Sequence, residues 1–243
     1  DSGWTWGVTM ADVNADGYLD IYVSRNGNSL KLDDRKNKLF INNQDLTFTE
    51  SAAAYGLADA GFSTQAVFFD MDNDGDLDMY QVNQLPDKKL ILVNKIPREQ
   101  FNLFRDKLYR NDGDTFTNVT DIAGVRSYGL SNSATIGDIN NDGLPDIFMT
   151  GNTFGGRLYL NKGNLEFEQI SGSANIFTRG FTTDVSFVDI NDDGYQDIYL
   201  CKSMAGEIEY RENLLYINNQ NNTFTNKAKE YGIADAGFSN QSV

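Results

Sequence analysis

Four nine-residue stretches place oxygen-bearing side chains at alternating positions ahead of a glycine. They are DVNADGYLD (12–20), DMDNDGDLD (70–78), DINNDGLPD (138–146) and DINDDGYQD (189–197). Positions 1, 3, 5 and 9 hold Asp12, Asn14, Asp16 and Asp20 in the first. The second holds Asp70, Asp72, Asp74 and Asp78, the third Asp138, Asn140, Asp142 and Asp146, and the fourth Asp189, Asn191, Asp193 and Asp197. A hard divalent cation such as calcium takes about six to eight oxygens at roughly 2.3–2.6 Å. Alternation in a tight loop aims such oxygens at one point. The glycine at position 6 (Gly17, Gly75, Gly143, Gly194) permits a sharp turn with positive φ. The carbonyl of position 7 (Tyr18, Asp76, Leu144, Tyr195) then faces inward, and position 9 closes the cage. The chain has no histidine, and its single cysteine, Cys201, follows the apolar run IYL and reads as a buried thiol. All-oxygen ligation favours calcium over transition metals, with about four sites expected, one per stretch.

Two other readings of the stretch compete. An EF-hand loop shares the early positions but requires a bidentate Glu at position 12 and flanking helices. Position 12 here is Val23, Gln81, Met149 and Leu200. An Asx-rich turn without metal is the second. Against it, the same spacing recurs four times, each time clustering carboxylates that repel one another without a counter-ion.

The bulk numbers agree with a metal-rich β protein. Of 243 residues, 40% are hydrophobic and 12% aromatic, enough for a packed core. The formal charge of −15 argues against nucleic acid as a partner. The side chains at positions 1, 3, 5 and 9 include 13 of the 35 acidic residues, and four divalent cations would bring the charge to −7. No apolar run approaches the roughly 20 residues of a membrane helix, so no membrane insertion by this segment is expected. No signal peptide is visible, and the abrupt start suits a mature or trimmed fragment.

Positioning these loops falls to strands. The motifs start 58, 68 and 51 residues apart. Nine residues before each start stands a glycine (Gly3, Gly61, Gly129, Gly180), and behind each motif comes an apolar run, IYV, MY, IFM or IYL. A second unit follows: KLFINNQDLTFTE, KLYRNDGDTFTN, RLYLNKGNLEFEQ and LLYINNQNNTFTN. Its period-two alternation and Asn/Gly-rich turns predict a hairpin. Each repeat therefore holds strands A and B around the motif and C and D in the hairpin. Residues 51–60 offer one helical turn at most. Four-stranded units at this period predict β-propeller blades in an all-β chain. GFSNQSV (237–243) matches GFSTQAV (61–67), the start of strand A in the second blade. Residues 1–243 are thus expected to be a partial propeller of four blades, with 237–243 beginning the next.

DxNxDGxxD followed by an apolar strand and an FxN-type hairpin resembles the FG-GAP/VCBS repeats, over nearly the whole chain. These build calcium-binding propellers similar to the integrin α-subunit head. Secreted bacterial proteins of the UnbV/cartilage-acidic-protein type look closest. The resemblance implies about seven blades in all and a calcium ion in each A–B hairpin loop. Departures are a long insertion after strand B of the second blade and the lack of any domain beyond the propeller.

A–B loops and C–D turns share one propeller face, B–C loops and D–A connections the other. The B–C loops vary widely in length, which marks the ligand face. Within PREQFNLFR (97–105), Arg98, Phe101, Phe104 and Arg105 are candidates for it, although the two phenylalanines could instead tuck the loop onto the blade. Trp6 is another, because its counterparts Thr64, Asn132, Thr183 and Asn240 are polar; stacking a sugar and packing on a preceding blade are both open. The function expected is a calcium-stabilised, secreted or cell-surface binding or adhesion module. Its partner would be a protein or glycan, or a larger surface complex. The alternatives are a carbohydrate-active propeller enzyme resembling a polysaccharide lyase, and a structural spacer in a surface assembly.

Overall fold

The computed structural model describes residues 4–26, 31–84, 98–127, 131–151, 155–203, 210–239 and 241, with the side chains of 98–100 left aside. Gly3, Gly129 and Asn240, and much of the long insertion after the second strand B, lie outside the described residues. The described residues form four antiparallel four-stranded sheets, each a meander in sequence order, as propeller blades are. Two compact units, Asp1–Leu130 and Ser131–Val243, hold two blades each.

In the first unit, blade 1 comprises β1 (Trp4–Ala11), β2 (Asp20–Asn26), β3 (Lys38–Asn42) and β4 (Phe48–Glu50). Blade 2 comprises β5 (Ser63–Phe69), β6 (Asp78–Asn83), β7 (Lys107–Asn111) and β8 (Phe116–Asn118). Every side chain of β6 is buried, as its run MYQVN suggests for a strand covered on both faces. The core lies between the two blades: Tyr22, Leu39 and Leu57 pack with Ala66, Met79 and Phe116. Phe68 sets its ring edge-on to Tyr22 at 5.8 Å. Blade 2 comes so close to β1 that a Cβ on Gly7 would lie 2.3 Å from the Thr64 carbonyl oxygen.

In the second unit, blade 3 comprises β9 (Ala134–Gly137), β10 (Asp146–Met149), β11 (Arg157–Asn161) and β12 (Phe167–Gln169). Blade 4 comprises β13 (Phe181–Val188), β14 (Asp197–Ser203), β15 (Leu214–Asn218) and β16 (Phe224–Asn226). Phe148, Leu158 and Ile176 pack with Val185, Leu200 and Tyr216, again between blades. Cys201, the one cysteine of the sequence, is buried.

Strand A carries a bulge at the same place in three blades. The register slips between Thr5 and Gly7, between Ser63 and Gln65, and between Thr182 and Asp184. The extra residues are Trp6, Thr64 and Thr183. Thr64 and Thr183 turn their hydroxyls back to the carbonyls of Val82 and Cys201. Trp6 has no hydroxyl to turn back and is 59% exposed. Trp4, Val8 and Met10 are exposed beside it, whereas the matching Phe62, Ala66 and Val185 are buried.

Beyond the strands, Leu32–Arg35 and Thr120–Ala123 make single helical turns, and Arg98–Phe104 makes a short 3-10 helix. The last of these arises inside the segment read as a loop from sequence.

Candidate metal centre

Each nine-residue motif joins strand A to strand B, and its position 9 is the first residue of strand B: Asp20, Asp78, Asp146 or Asp197. Two left-handed residues bend each loop. One is the glycine, with φ of 88° at Gly17, 95° at Gly75, 86° at Gly143 and 83° at Gly194. The other, at position 4, carries a side chain: Ala15, Asn73, Asn141 and Asp192 have φ of 55° to 58°. Asn and Asp tolerate this region better than other non-glycine residues.

Backbone N–H groups fix the carboxylates. The position 1 carboxylate accepts from positions 5 and 6. Asp16 N–H donates to Asp12 Oδ1 at 3.0 Å and Gly17 N–H to Asp12 Oδ2 at 2.8 Å. The same pair recurs at Asp70, Asp138 and Asp189. Position 5 accepts from the N–H of position 7, as at Asp16 from Tyr18 and Asp74 from Asp76. Asp142 and Asp193 accept from Leu144 and Tyr195 in the same way.

Position 9 ties the loop to its blade. Asp20, Asp78, Asp146 and Asp197 are wholly buried. One oxygen of each accepts the N–H of position 2: Val13, Met71, Ile139 and Ile190. The other accepts the N–H of the last residue of strand C: Asn42, Asn111, Asn161 and Asn218, at 2.7–2.8 Å. That asparagine in turn donates its side-chain amide to the carbonyl of position 8: Leu19, Leu77, Pro145 or Gln196. In the second blade of each unit the same amide also reaches the neighbouring blade. Asn111 donates to the Val13 carbonyl at 3.1 Å and Asn218 to the Ile139 carbonyl at 2.7 Å. Sequence reading saw the FxN pattern but not this clasp.

The loops differ at position 3. Asn14, Asn140 and Asn191 donate their amides to the position 5 carboxylates Asp16, Asp142 and Asp193 at 2.9–3.2 Å. Blade 2 has Asp72 instead, whose Oδ1 is buried without a hydrogen-bond partner, as is Oδ1 of Asp76. Asp70, Asp72 and Asp78 bring one oxygen each within 4.8 Å of one another. Two oxygens on opposite sides of one calcium ion stand about 5 Å apart, so this spacing suits shared coordination. A carboxylate oxygen that accepts one N–H keeps a lone pair for a cation. The donor set and the orphaned Asp72 oxygen both fit a hard divalent ion.

Electrostatics points the same way. Burial pushes Asp78 up to about 7, against the pull of the Asn111 and Met71 N–H groups and helped by Asp72 and Asp76. Asp146 is likewise raised to about 7 by burial. Asp76 rises to about 6, through burial and then the neighbouring Asp74 charge. Asp20, Asp72 and Asp197 also rise, burial leading in each. Exposed Asp16 and Asp193 are lowered, chiefly by the N–H of Tyr18 and Tyr195. Buried carboxylates held above their normal range are those a bound cation would return to the ionised form.

The C–D turns stand beside the motif loops: Gln44 reaches Asp16 and Gln220 reaches Asp193 at 3.4 and 3.3 Å. Of the candidates for the other face, Phe104 is buried against Phe62, ring centroids 5.4 Å apart, and works as packing. Phe101 leans edge-on against Phe104 and is partly exposed. Arg105 lines a small cleft with Asn118 and Asp121. The Arg98 side chain lies outside the described residues. A larger cleft of 490 Å³, missed by sequence reading, opens in the second unit between the start of β11 and the connection from β12 to β13. Lys202 is buried beneath it and donates its Nζ to the Arg179 carbonyl; burial alone pulls this lysine down to about 8.

A solved structure titled as the basis of specific recognition of non-reducing terminal N-acetylglucosamine by an Agrocybe aegerita lectin is similar, with a TM-score of 0.48 and 18% identity. The match covers 95% of this chain and 52% of that one, so the present chain spans about half its length. Comparison with curated proteins gives no match. The family model of the FG-GAP-like repeat matches residues 29–80, 104–149 and 138–200. These segments take in more than half of the chain and contain three of the four motif loops with at least the start of the strand that follows each, and the chain belongs to the FG-GAP-like repeat family.

Proposed function

We propose that this chain is a calcium-stabilised binding module, working outside the cell or at its surface, that recognises a glycan or protein through the face opposite the motif loops. The observation that carries the metal reading is the orphaned Asp72 oxygen inside the Asp70–Asp72–Asp78 cluster. When bound, a calcium ion supplies charge neutralisation and ties strand A to strand B. The ligands would be the side chains at positions 1, 3, 5 and 9 of each motif, with the position 7 carbonyl. Around it, Asp78 and Asn111 join the loop to strand C, and Asn111 joins it to the preceding blade. Ion binding and blade packing are thereby coupled. Calcium outside cells is abundant enough to fill even weak sites of this kind.

We also infer that the blades belong to a longer propeller. The exposed flank of β1 with Trp4, Trp6, Val8 and Met10 is the flank that blade 2 buries against blade 1 and blade 4 against blade 3. At the other end, the Ser239 hydroxyl accepts from the Asn213 amide as Ser63 accepts from Asn37 at the start of β5.

Among the described residues no helix is long and apolar enough to cross a membrane. The binding-module reading is tested by screening the chain on glycan and protein arrays in calcium and in chelator. Binding that disappears with chelation and returns with calcium is expected. Binding of equal strength in both removes calcium from the function, and binding to neither array removes the module.

A further inference from the structure

We propose that the cleft between the start of β11 and the β12–β13 connection binds an anionic sugar unit, with Arg179 and Arg157 on its acidic group and Phe177 against its ring. The proposal rests on the binding-module reading and names the site and ligand class.

Two of the other connections provide the control; the one before blade 3, TDIAGVRSYGL (120–130), departs from them in its own way, with Arg126 and Ser127. The connection preceding strand A reads AAAYGLADAGF (52–62) before blade 2, SGSANIFTRGF (171–181) before blade 4 and AKEYGIADAGF (228–238) after blade 4. The alignment holds in three dimensions. Leu57, Ile176 and Ile233 each donate their N–H to a carbonyl five residues back: Ala52, Ser171 and Ala228. At the next positions two connections carry Ala58, Asp59 and Ala60, or Ala234, Asp235 and Ala236. The connection before blade 4 carries Phe177, Thr178 and Arg179. An aromatic and a guanidinium replace two alanines, and a threonine replaces the carboxylate.

These changes are not needed to pack the segment. Ile176 and Thr178 point inward and are buried, while Phe177 is 68% exposed and Arg179 is exposed beside it. The backbone is held firmly. The Tyr216 hydroxyl accepts the Phe177 N–H at 3.1 Å and donates to the Phe177 carbonyl at 2.9 Å. Thr178 Oγ1 accepts the Gly156 N–H, and Lys202 donates to the Arg179 carbonyl. A large apolar ring and a cation are therefore presented to solvent on a fixed support, which spares a ligand the cost of ordering them.

The cleft is cationic in an acidic protein. Among the described residues its lining includes Arg157, Arg179, Gln169 and Ser171 and no carboxylate, in a chain with 35 acidic and 20 basic residues. Arg157 donates to the Tyr159 hydroxyl at 3.4 Å. Guanidinium groups pair with planar carboxylates and with sulfate-like anions through forked hydrogen bonds. A volume of 490 Å³ is within the range of small-ligand sites, the size of one or two sugar rings. An exposed phenyl face suits the C–H face of a pyranose, and Gln169 offers donor and acceptor groups to hydroxyls. An acidic peptide would satisfy the arginines but makes less use of a single flat ring.

The test titrates a tetragalacturonate, its methyl ester and a sulfated neutral tetrasaccharide into the whole chain at fixed free calcium, by calorimetry. Tighter binding of the uronate or of the sulfated sugar than of the uncharged ester, by at least tenfold, is expected. A preference for the uronate identifies a carboxylate ligand, and a preference for the sulfated sugar identifies a sulfate ester; either supports the cleft. Arg179→Ala and Phe177→Ala should each weaken binding at least tenfold without changing the melting temperature, since both side chains are exposed. Arg126→Ala, whose side chain pairs with Asp121 outside the cleft, should leave it unchanged. Equal binding of acid, ester and sulfated sugar, no binding of any anionic sugar, or indifference to Arg179→Ala overturns the proposal. So does binding of an acidic peptide, and of no sugar, that is lost in Arg179→Ala. Array binding that persists in both cleft variants overturns the cleft while leaving the binding module intact. Cleft binding that survives chelation keeps the cleft and removes calcium dependence from the module.

Discussion

At the scale of single residues, the loops read from sequence as alternating ligands, and the structure adds what holds them. The glycine at position 6 was legible because its φ requirement follows from the turn. A Cβ on Gly75 would meet nothing within 4 Å, so Gly75→Ala should cost more than about 1 kcal/mol from backbone strain alone. The left-handed residue at position 4 was not legible, because its type varies: Ala15, Asn73, Asn141 and Asp192 share only a conformation. Ala15 is the poorest fit, and Ala15→Asn is expected to stabilise the chain by about 0.5–1 kcal/mol in urea denaturation. No gain would mean that the loop conformation differs from the one described.

The acidity of the loops sets a pH dependence. Burial raises the folded Asp78 and Asp146 carboxyls to about 7 from an ordinary 3.8. Without metal, the stability these groups give is complete below about pH 4 and is lost as pH rises through about 7. A cation compensates that loss by pairing with the ionised forms. Calcium should therefore bind more weakly as pH falls below 7 and should release protons on binding at pH 6. Calorimetry in buffers of different ionisation enthalpy measures that release, and a proton count of zero contradicts it.

At the scale of elements, alternation and turn residues were enough to place strands A to D in all four blades. What sequence could not supply was the partner of each polar side chain. Asn111 reaches the Val13 carbonyl across 98 positions, and nothing local marks it apart from the aromatic-x-Asn pattern that ends each strand C. Phe104 has the composition of an interface residue, yet burial against Phe62 makes it packing. Phe177 and Arg179 stand out only after the connections are aligned by their hydrogen bonds. Asn111→Ala removes three hydrogen bonds, two donated to carbonyls and one accepted from the Gly113 N–H, and strands the two carbonyls, so it should cost about 1–3 kcal/mol. Urea denaturation of the variant checks this, and a loss below about 0.5 kcal/mol would show that the clasp does not join the blades. The calcium response of the same variant should also weaken, because loop and clasp share Asp78.

At the scale of the whole molecule, charge connects sites that are far apart in sequence. The formal charge of −15 concentrates in loops that four divalent ions would neutralise in large part. Chelation should lower the melting temperature, and more at low ionic strength than at high, because salt screens the exposed carboxylates left behind. Blade 2, with five aspartates in nine residues, should hold its ion most tightly. Asp74→Ala should then lower the melting temperature in calcium and change little in chelator; equal losses in both would remove Asp74 from the ligand set. The measurement that tests the central claim most directly is a crystal structure grown at saturating calcium, with anomalous scattering to locate the ions. The account predicts a peak in each of the four loops, about 2.3–2.6 Å from the side-chain oxygens at positions 1, 3, 5 and 9. Loops without peaks, their aspartates turned to solvent, would contradict it.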